Sequence, residues 1–417
     1  MKRIYYGWVI VALGFISMAF WLGVNSTFSV FYATLLDEFA WRRAESAGVM
    51  ATSQIVYTLC APFIGVLIHR FGPRKVVVPG ILILVAGLAL CSVIQSLGQL
   101  YLFYGLPVGV GVSCISMVAF TVIIARWFDA RRGLANGIAS AGMGVGMFVL
   151  VPLTQDLINT IGWRHTYLVL AALVAVVLLP ANAIFLKHRP EEMGLLPDGK
   201  ARPDANALHA GGGVRPVFEW SISRLFRSLT FYIMITFPAL SILSVLIIIV
   251  HNMRFLVDQG VDKMTGAFAF AIVGMFSMVF RILWGWLSDR IGREIAYTAG
   301  MIIMSAGIAC LLLFEKSHRS VYIYLFSVLF GVGWGANAPI FAATAADLFK
   351  GPLFGLIYGC VESLIGVTGA LGAWVGGYIY DHTQSYRLAF LLAIVSALLS
   401  AALIWVAAPR KASRFSG

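Results

Sequence analysis

A chain of 417 residues that is 60% hydrophobic and only 12% charged, with a mean hydropathy of +0.90, does not have the composition of a water-soluble protein. Its net charge of +12 would suggest a nucleic-acid partner in a soluble fold. Here the basic residues cluster in a subset of the breaks between apolar runs, which is what membrane orientation requires, so the expected solvent is lipid and no nucleic acid is expected.

Apolar runs long enough to cross a bilayer recur along almost the whole chain. In order they cover about 7–36, 45–69, 76–97, 100–126, 134–160, 165–187, 229–257, 264–288, 295–314, 321–347, 354–380 and 387–408. The first follows Lys2 and Arg3, is too long for a signal-peptide core, and is expected to remain as a helix. The long break at 188–228 is rich in Pro, Gly and charge, including Gly211-Gly212-Gly213, and reads as a solvated linker with a short amphipathic piece at Trp220 to Arg227. With both termini inside, most of the 30 Lys and Arg fall on the cytoplasmic side, so the positive-inside bias places the termini and the linker there. The expected architecture is an all-α membrane protein of twelve transmembrane helices in two six-helix bundles, 1–187 and 229–417. The five cysteines (Cys60, Cys91, Cys114, Cys310, Cys360) all lie in apolar runs without metal-ligand spacing, so neither disulfide, metal nor cofactor is expected.

The two halves repeat. Gly65-x-x-x-His69-Arg70-x-Gly72-Pro73-Arg74 follows the second run, and Gly285-x-x-x-Asp289-Arg290-x-Gly292-Arg293 follows the eighth. Phe128 precedes Gly133-Leu134-x-x-Gly137, and Phe349 precedes Gly355-Leu356-x-x-Gly359. Trp163-Arg164 before the sixth run matches Tyr386-Arg387 before the twelfth. Three matches at nearly one offset mean two homologous halves in parallel, the organisation of an alternating-access transporter. In the hinge motif, glycine permits a tight turn and close helix packing, while the arginines can pair with acids or helix-end carbonyls and latch one state. Gly65, Arg70, Gly72, Arg74, Gly285, Asp289, Arg290, Gly292 and Arg293 are therefore gating candidates. Read singly, Arg74 is equally a topology signal.

These motifs resemble the major facilitator superfamily over essentially the full chain. Within it, the segment from Ala125-Arg126-Trp127-Phe128 through Arg131-Arg132-Gly133-Leu134-Ala135-Asn136-Gly137 to Gly142 resembles the fifth-helix signature of the monocarboxylate transporter family. Gly355-Leu356, Val361-Glu362, Gly376-Gly377 and Asp381 resemble that family's eleventh helix, and Tyr6-Gly7-Trp8-Val9 is a looser match in the first. Bacterial oxalate:formate antiporters share much of the pattern. The resemblance implies a multi-pass protein of the plasma membrane, the inner membrane in bacteria, working as a monomer.

One residue stands out. Arg281 lies eight residues before Asp289, or roughly 12 Å at the helical rise, near mid-depth of a hydrocarbon core about 30 Å thick. An arginine there costs at least about 2.5–3.5 kcal/mol, so such groups usually face a polar cavity and serve function. Its planar fork grips a carboxylate bidentately, and the resemblance puts the family's substrate arginine at this position. The alternative is a structural arginine satisfied by carbonyls or an acid. The pattern also departs from many animal members. Ser277 stands where they carry an aspartate one turn earlier, and uncharged Asn25 or Ser26 falls near their first-helix lysine.

Glu362 is the only acid placed deep in a run, either a scaffold acid or a proton-titrating partner for Arg281. His251 shares a face with Ser241 and Ser244 and is a substrate or proton candidate, or equally a satisfied interfacial histidine. Asn25 on the first run, Ser113 and Ser116 on the fourth, Asn337 on the tenth and Tyr358 on the eleventh are substrate-binding candidates, though such positions are more often interhelical glue or packing than ligand contacts. Phe28, Met117, Phe341 and Cys360 are candidate cavity walls, or plain packing. The reading that follows is a carrier of small monocarboxylates such as lactate or pyruvate, coupled to protons because an anion entering a negative-inside cell is opposed by about 2.3 kcal/mol per 100 mV. A formate/oxalate-type antiporter is the alternative. A cation exporter would need an acid on the cavity runs, and an enzyme would need a metal or nucleophile constellation that the sequence does not show.

Overall fold

A computed structural model of the chain describes residues 5–41, 43–199, 225–349, 351 and 353–407. Most of the expected linker, with the glycine triplet and the start of the piece at Trp220, lies outside the described residues, as do Lys2, Arg3 and the residues from 408 onward. The described residues are almost wholly helical and contain no β-strand. Lipid offers backbone groups no hydrogen-bond partner, so each span must satisfy its own, and helices do so.

Among the described residues, eleven helices are long and apolar enough to cross a membrane. One of them, Arg132–Phe185, has 54 residues and turns at Gly162 (φ 79, ψ 161), so it supplies two spans. In chain order the twelve are α1 (Gly7–Phe39), α2 (Arg43–Phe71), α3 (Arg74–Cys91), α4 (Leu97–Trp127), α5 (132–161), α6 (163–185), α7 (Leu229–Asp258), α8 (Lys263–Ile291), α9 (Arg293–Ser317), α10 (Val321–Leu348), α11 (Phe354–Thr383) and α12 (Arg387–Ala407).

Two of these are interrupted, each for a local reason. In α4, Pro107 withholds an N–H and crowds the preceding turn, and Tyr101–Val108 widens into a π-helix. The chain then breaks at Ile115 (φ -110, ψ 11) and extends at Ser116. The carbonyls of Val110 and Ser113 accept from the hydroxyls of Ser113 (2.6 Å) and Ser116 (2.8 Å). In α10 the break falls between Trp334 and Asn337, and Pro339 sits in the first turn of the new segment, where no donor is needed.

Backbone contacts divide the chain into two compact units. The first holds Met1–Arg131, Ile138–Glu219 and Lys350–Gly359; the second holds Arg132–Gly137, Trp220–Phe349 and Cys360–Gly417. Paired glycines set the same contact in both. In the first unit a Cβ on Gly65 would strike the Gly355 carbonyl, and one on Gly355 the Gly65 carbonyl. In the second unit Gly285 and Gly133 stand in the same reciprocal relation. The hinge glycines Gly72 (φ 86) and Gly292 (φ 99) both take a backbone that a side chain would strain.

Within the second unit α9 packs along α10, and Gly307 lies against the Phe330 backbone, where a Cβ would come within 2.6 Å of the amide nitrogen. In the first, Gly111 lies similarly against Leu84. Gly307→Val and Gly111→Val are each expected to destabilise the purified protein by about 1–3 kcal/mol through overpacking. Thermal unfolding in detergent checks this, and an unchanged melting temperature for both would refute close backbone packing at these points.

Candidate functional site

Helix α8 starts where the Asp262 carboxylate accepts the Thr265 N–H (2.9 Å) and runs unbroken to the hinge glycine Gly292. Arg281 sits on it, half-buried, with its guanidinium over the indole of Trp334 at 5.7 Å. Trp334 and Gly335 are the residues at the α10 break, and a Cβ on Gly335 would come 3.1 Å from the Arg281 backbone nitrogen. On another side the Arg281 carbonyl faces Gly137, where a Cβ would approach it to 2.5 Å. The Trp284 indole donates to the Val332 carbonyl (2.8 Å), fixing α8 to the segment before the break. The arginine is thus positioned through its backbone, at glycine contacts on two sides. An indole face attracts a guanidinium through its ring quadrupole. One turn earlier Ser277 is buried, and its hydroxyl has no hydrogen-bond partner among the described residues.

Asn337, just past the same break, donates to Ser241 Oγ (2.8 Å), which in turn donates to Met301 Sδ (3.4 Å). The Asn337 carbonyl oxygen is buried without a partner among the described residues. Phe341 packs edge-on to Phe237 and against Tyr297, with ring centroids 5.4 and 5.6 Å away. His251 lies further along α7 in different company. Its Nε2 donates to the Ala373 carbonyl of α11 (2.8 Å), and its ring tilts against Tyr386 at 5.4 Å. Glu362 is buried in α11, and Cys360, two residues before it, is half-buried.

In the first unit Asn25 and Phe28 of α1 line a cavity of about 620 Å³ together with Ser26, Ser29, Tyr32, Met50, Met147 and Val151. Asn25 donates to the Trp21 carbonyl (2.9 Å). Ser113, Ser116 and Met117 are buried at the α4 break rather than among the residues of that cavity. Tyr358 is fully buried beside Phe354, with ring centroids 6.0 Å apart.

The hinge motif of the second unit forms a charge network. Asp289 accepts the N–H groups of Gly133 and Leu134 at the start of α5 (2.9 Å each) and pairs with Arg293. A carboxylate at a helix N-terminus satisfies orphan donors and meets the positive end of the dipole. Arg293 also donates to Ser288 Oγ (2.7 Å) and pairs with Asp347 (3.1 Å), while Arg132 pairs with the other Asp347 oxygen (2.7 Å). Gly285 provides the glycine contact beneath this network, and Arg290 lies outside it, stacked on Trp286 at 4.1 Å. In the first unit Arg70 lies over the Phe71 ring at 5.3 Å and Arg74 begins α3. Arg132 and Asp347 do not stand out as gating candidates in the sequence alone. A signal is nonetheless present there, since Asp347 is the lone acid at the end of α10 and Arg132 immediately precedes the repeated Gly-Leu.

Residues 10–352 and 255–417 match the family model of the Major Facilitator Superfamily. The chain belongs to the major facilitator superfamily. The transporter relatives it resembles run at low identity over nearly all of it. Monocarboxylate transporter 2 of Homo sapiens is 28% identical over 411 residues, covering 96% of this chain and 84% of that protein. Monocarboxylate transporter 13 of Rattus norvegicus is 29% identical over 93% of this chain and 86% of its own length. The MFS-type transporter YcxA of Bacillus subtilis is 26% identical, over 94% of this chain and 93% of its own. Among solved structures, the proton:xylose symporter XylE bound to 6-bromo-6-deoxy-D-glucose superposes with a TM-score of 0.69 at 13% identity, over 96% of this chain and 95% of that one. That likeness shows the fold, the two-bundle, twelve-helix fold of the superfamily.

In this major facilitator, Asp347 compensates two guanidiniums whose side chains are 8% and 9% exposed. Asp347→Asn would leave both short of countercharge and is expected to destabilise the protein by about 2 kcal/mol, given that Asp347 itself is 25% exposed. Thermal unfolding of Asp347→Leu, Arg132→Leu and the double variant should return a coupling of roughly 1–3 kcal/mol. Additive effects would show that the pair is incidental.

Proposed function

We propose that the chain is a secondary transporter of small monocarboxylates, of lactate or pyruvate type, coupled to protons and working by alternating access. The observation that carries this reading is Arg281, an arginine inside an apolar span whose side chain lies on an indole face beside a broken helix. A carboxylate meeting it gains two parallel charge-assisted hydrogen bonds in a low-dielectric setting. The names of the relatives, monocarboxylate transporters over most of their length, support the same substrate class. In this reading 1–187 and 229–417 are the functional halves, 188–228 is a cytoplasmic linker, both termini are cytoplasmic, and the monomer sits in the bacterial inner membrane. Within the second unit Asn337 is a polar contact for the substrate, Phe341 is a wall, and Glu362 or His251 carries the proton. The hinge network around Asp289 is a latch that one state holds and the other releases.

One observation favours exchange instead of proton symport. Ser277 is a buried hydroxyl where many animal relatives of the resembled family carry an acid, and Asn25 is an amide in place of a lysine. With neither group able to titrate, a formate/oxalate-type antiporter would need no proton, because anion leaves as anion enters.

Uptake of labelled lactate, pyruvate, formate and oxalate into proteoliposomes, with and without a pH gradient, separates the two. Arg281→Lys keeps the charge and loses the fork, so transport is expected to fall by about 10- to 100-fold. Near-normal uptake by that variant would remove direct bidentate binding. Glu362→Gln is expected to fold normally and shift the pH dependence of uptake; an unaltered profile would assign Glu362 to scaffolding.

A further inference from the structure

The hinge region of the first unit carries the same backbone devices as that of the second and the opposite electrostatics. Phe128 and Phe349 mark the register of one repeat and Gly72 and Gly292 that of the other. In that register Asp289 corresponds to His69, and Asp347 corresponds to Arg126. The two acids that satisfy Arg132 and Arg293 in the second unit are thus replaced by a histidine and an arginine, and Pro73 stands in the place of Arg293.

The consequence is visible in the hydrogen bonding. Both terminal guanidinium nitrogens of Arg126, at the end of α4, are buried and have no partner among the described residues. The same holds for Nε2 of His188, in the segment that follows α6 by way of Leu186 and Lys187. The His188 ring lies against Gly72, whose added Cβ would come within 3.0 Å of Nδ1. Glu192 holds its carboxylate 3.9 Å from that Nδ1, beyond hydrogen-bond reach. Arg126, Arg189 and His69 lie near enough to His188 to act on it electrostatically, and the Glu191 carboxylate, which leaves both terminal nitrogens of Arg126 without a hydrogen bond, acts on Arg126 in the same way. Buried guanidinium nitrogens without an acceptor are costly, and an oxyanion is the partner that fits a guanidinium fork; the His188 ring adds a third site when Nε2 carries the proton.

We propose that Arg126 and His188, assisted by His69 and Arg189, form a binding site for a phosphate-type oxyanion, taken either from free phosphate or from the headgroup of an anionic lipid. Two oxygens accept from the Arg126 fork and a third from His188 Nε2–H, while Arg189 adds charge from the exposed side. This site is independent of the transported substrate. Burial, then the Arg126 and Arg189 guanidiniums and the His69 ring, hold the His188 pKa below its ordinary value, with Glu192 opposing them. The ring is therefore neutral at neutral pH before the anion arrives. A bound anion offsets the nearby positive charges and favours the imidazolium, so affinity rises as pH falls from about 7.5 to about 6.

The test uses the full chain in detergent, with melting temperature and native mass spectrometry as readouts. One arm titrates inorganic phosphate; the other adds phosphatidylglycerol against a phosphatidylcholine control. Saturable stabilisation is expected in at least one arm, and which arm responds identifies the source. Arg126→Gln should weaken that response by about 10-fold or more, as expected for loss of a charge-assisted pair. His188→Gln should weaken it less and flatten its pH dependence, and it keeps the test decisive if Arg126→Gln does not fold. No saturable response in either arm overturns the proposal, as does a response that His188→Gln leaves unaltered in strength and pH dependence.

Discussion

The absence of four Cβ atoms underlies the arrangement of this transporter. Gly65 with Gly355, and Gly133 with Gly285, bring backbones so close that any side chain at either member would displace its partner's carbonyl. Lipid provides no hydrophobic force to press helices together, so contact must come from shape and from dispersion at short range. The remaining hinge geometry builds on these contacts. Asp289 reaches the α5 N-terminus because Gly285, one turn earlier, lets α8 approach it. Arg281, one turn earlier again, meets Gly137 by the same means, so the residue proposed to bind substrate is positioned by the packing that positions the Asp289 network.

The repeat keeps this backbone arrangement and not its chemistry. In the second unit the acids Asp289 and Asp347 neutralise Arg132 and Arg293 within the protein. In the first unit the equivalent positions are basic, and buried donors remain. Duplicated halves often diverge in this way, since a shared scaffold constrains where groups stand and leaves their charge to vary. The two halves are therefore electrostatically inequivalent around the same backbone device.

Much of this is legible in the sequence. Hydrophobic run length alone places twelve spans, because a bilayer demands some 20 apolar residues of each. The spacing of Gly65, Gly72, Gly285 and Gly292 announces the hinges, and Arg281 is conspicuous because a charge is so costly at its depth. What the sequence hides is of two kinds. Arg132 and Asp347 lie at the ends of spans, where a charge is cheap and looks like a topology signal, so the weak sequence signal gains meaning from their mutual distance. The polar candidates Ser113 and Ser116 have the composition of cavity lining, yet both hydroxyls bond to carbonyls of the preceding turn beside the α4 interruption. A short-range rupture in a helix is a matter of dihedral angles, and Pro107 hints at it without fixing where Ile115 turns.

The interruptions of α4 near Ile115 and of α10 near Ala336 occupy matching places in the two repeats. A continuous helix is stiff, since flexing it stretches a ladder of bonds along one side. A rod already parted at its middle yields there first, at little further loss of bonding. Each half therefore owns a compliant joint at the same level of its architecture. Strain applied at one end of α4 or α10 should be absorbed at that joint instead of being relayed to the other end, so the two ends of each rod are free to follow different neighbours.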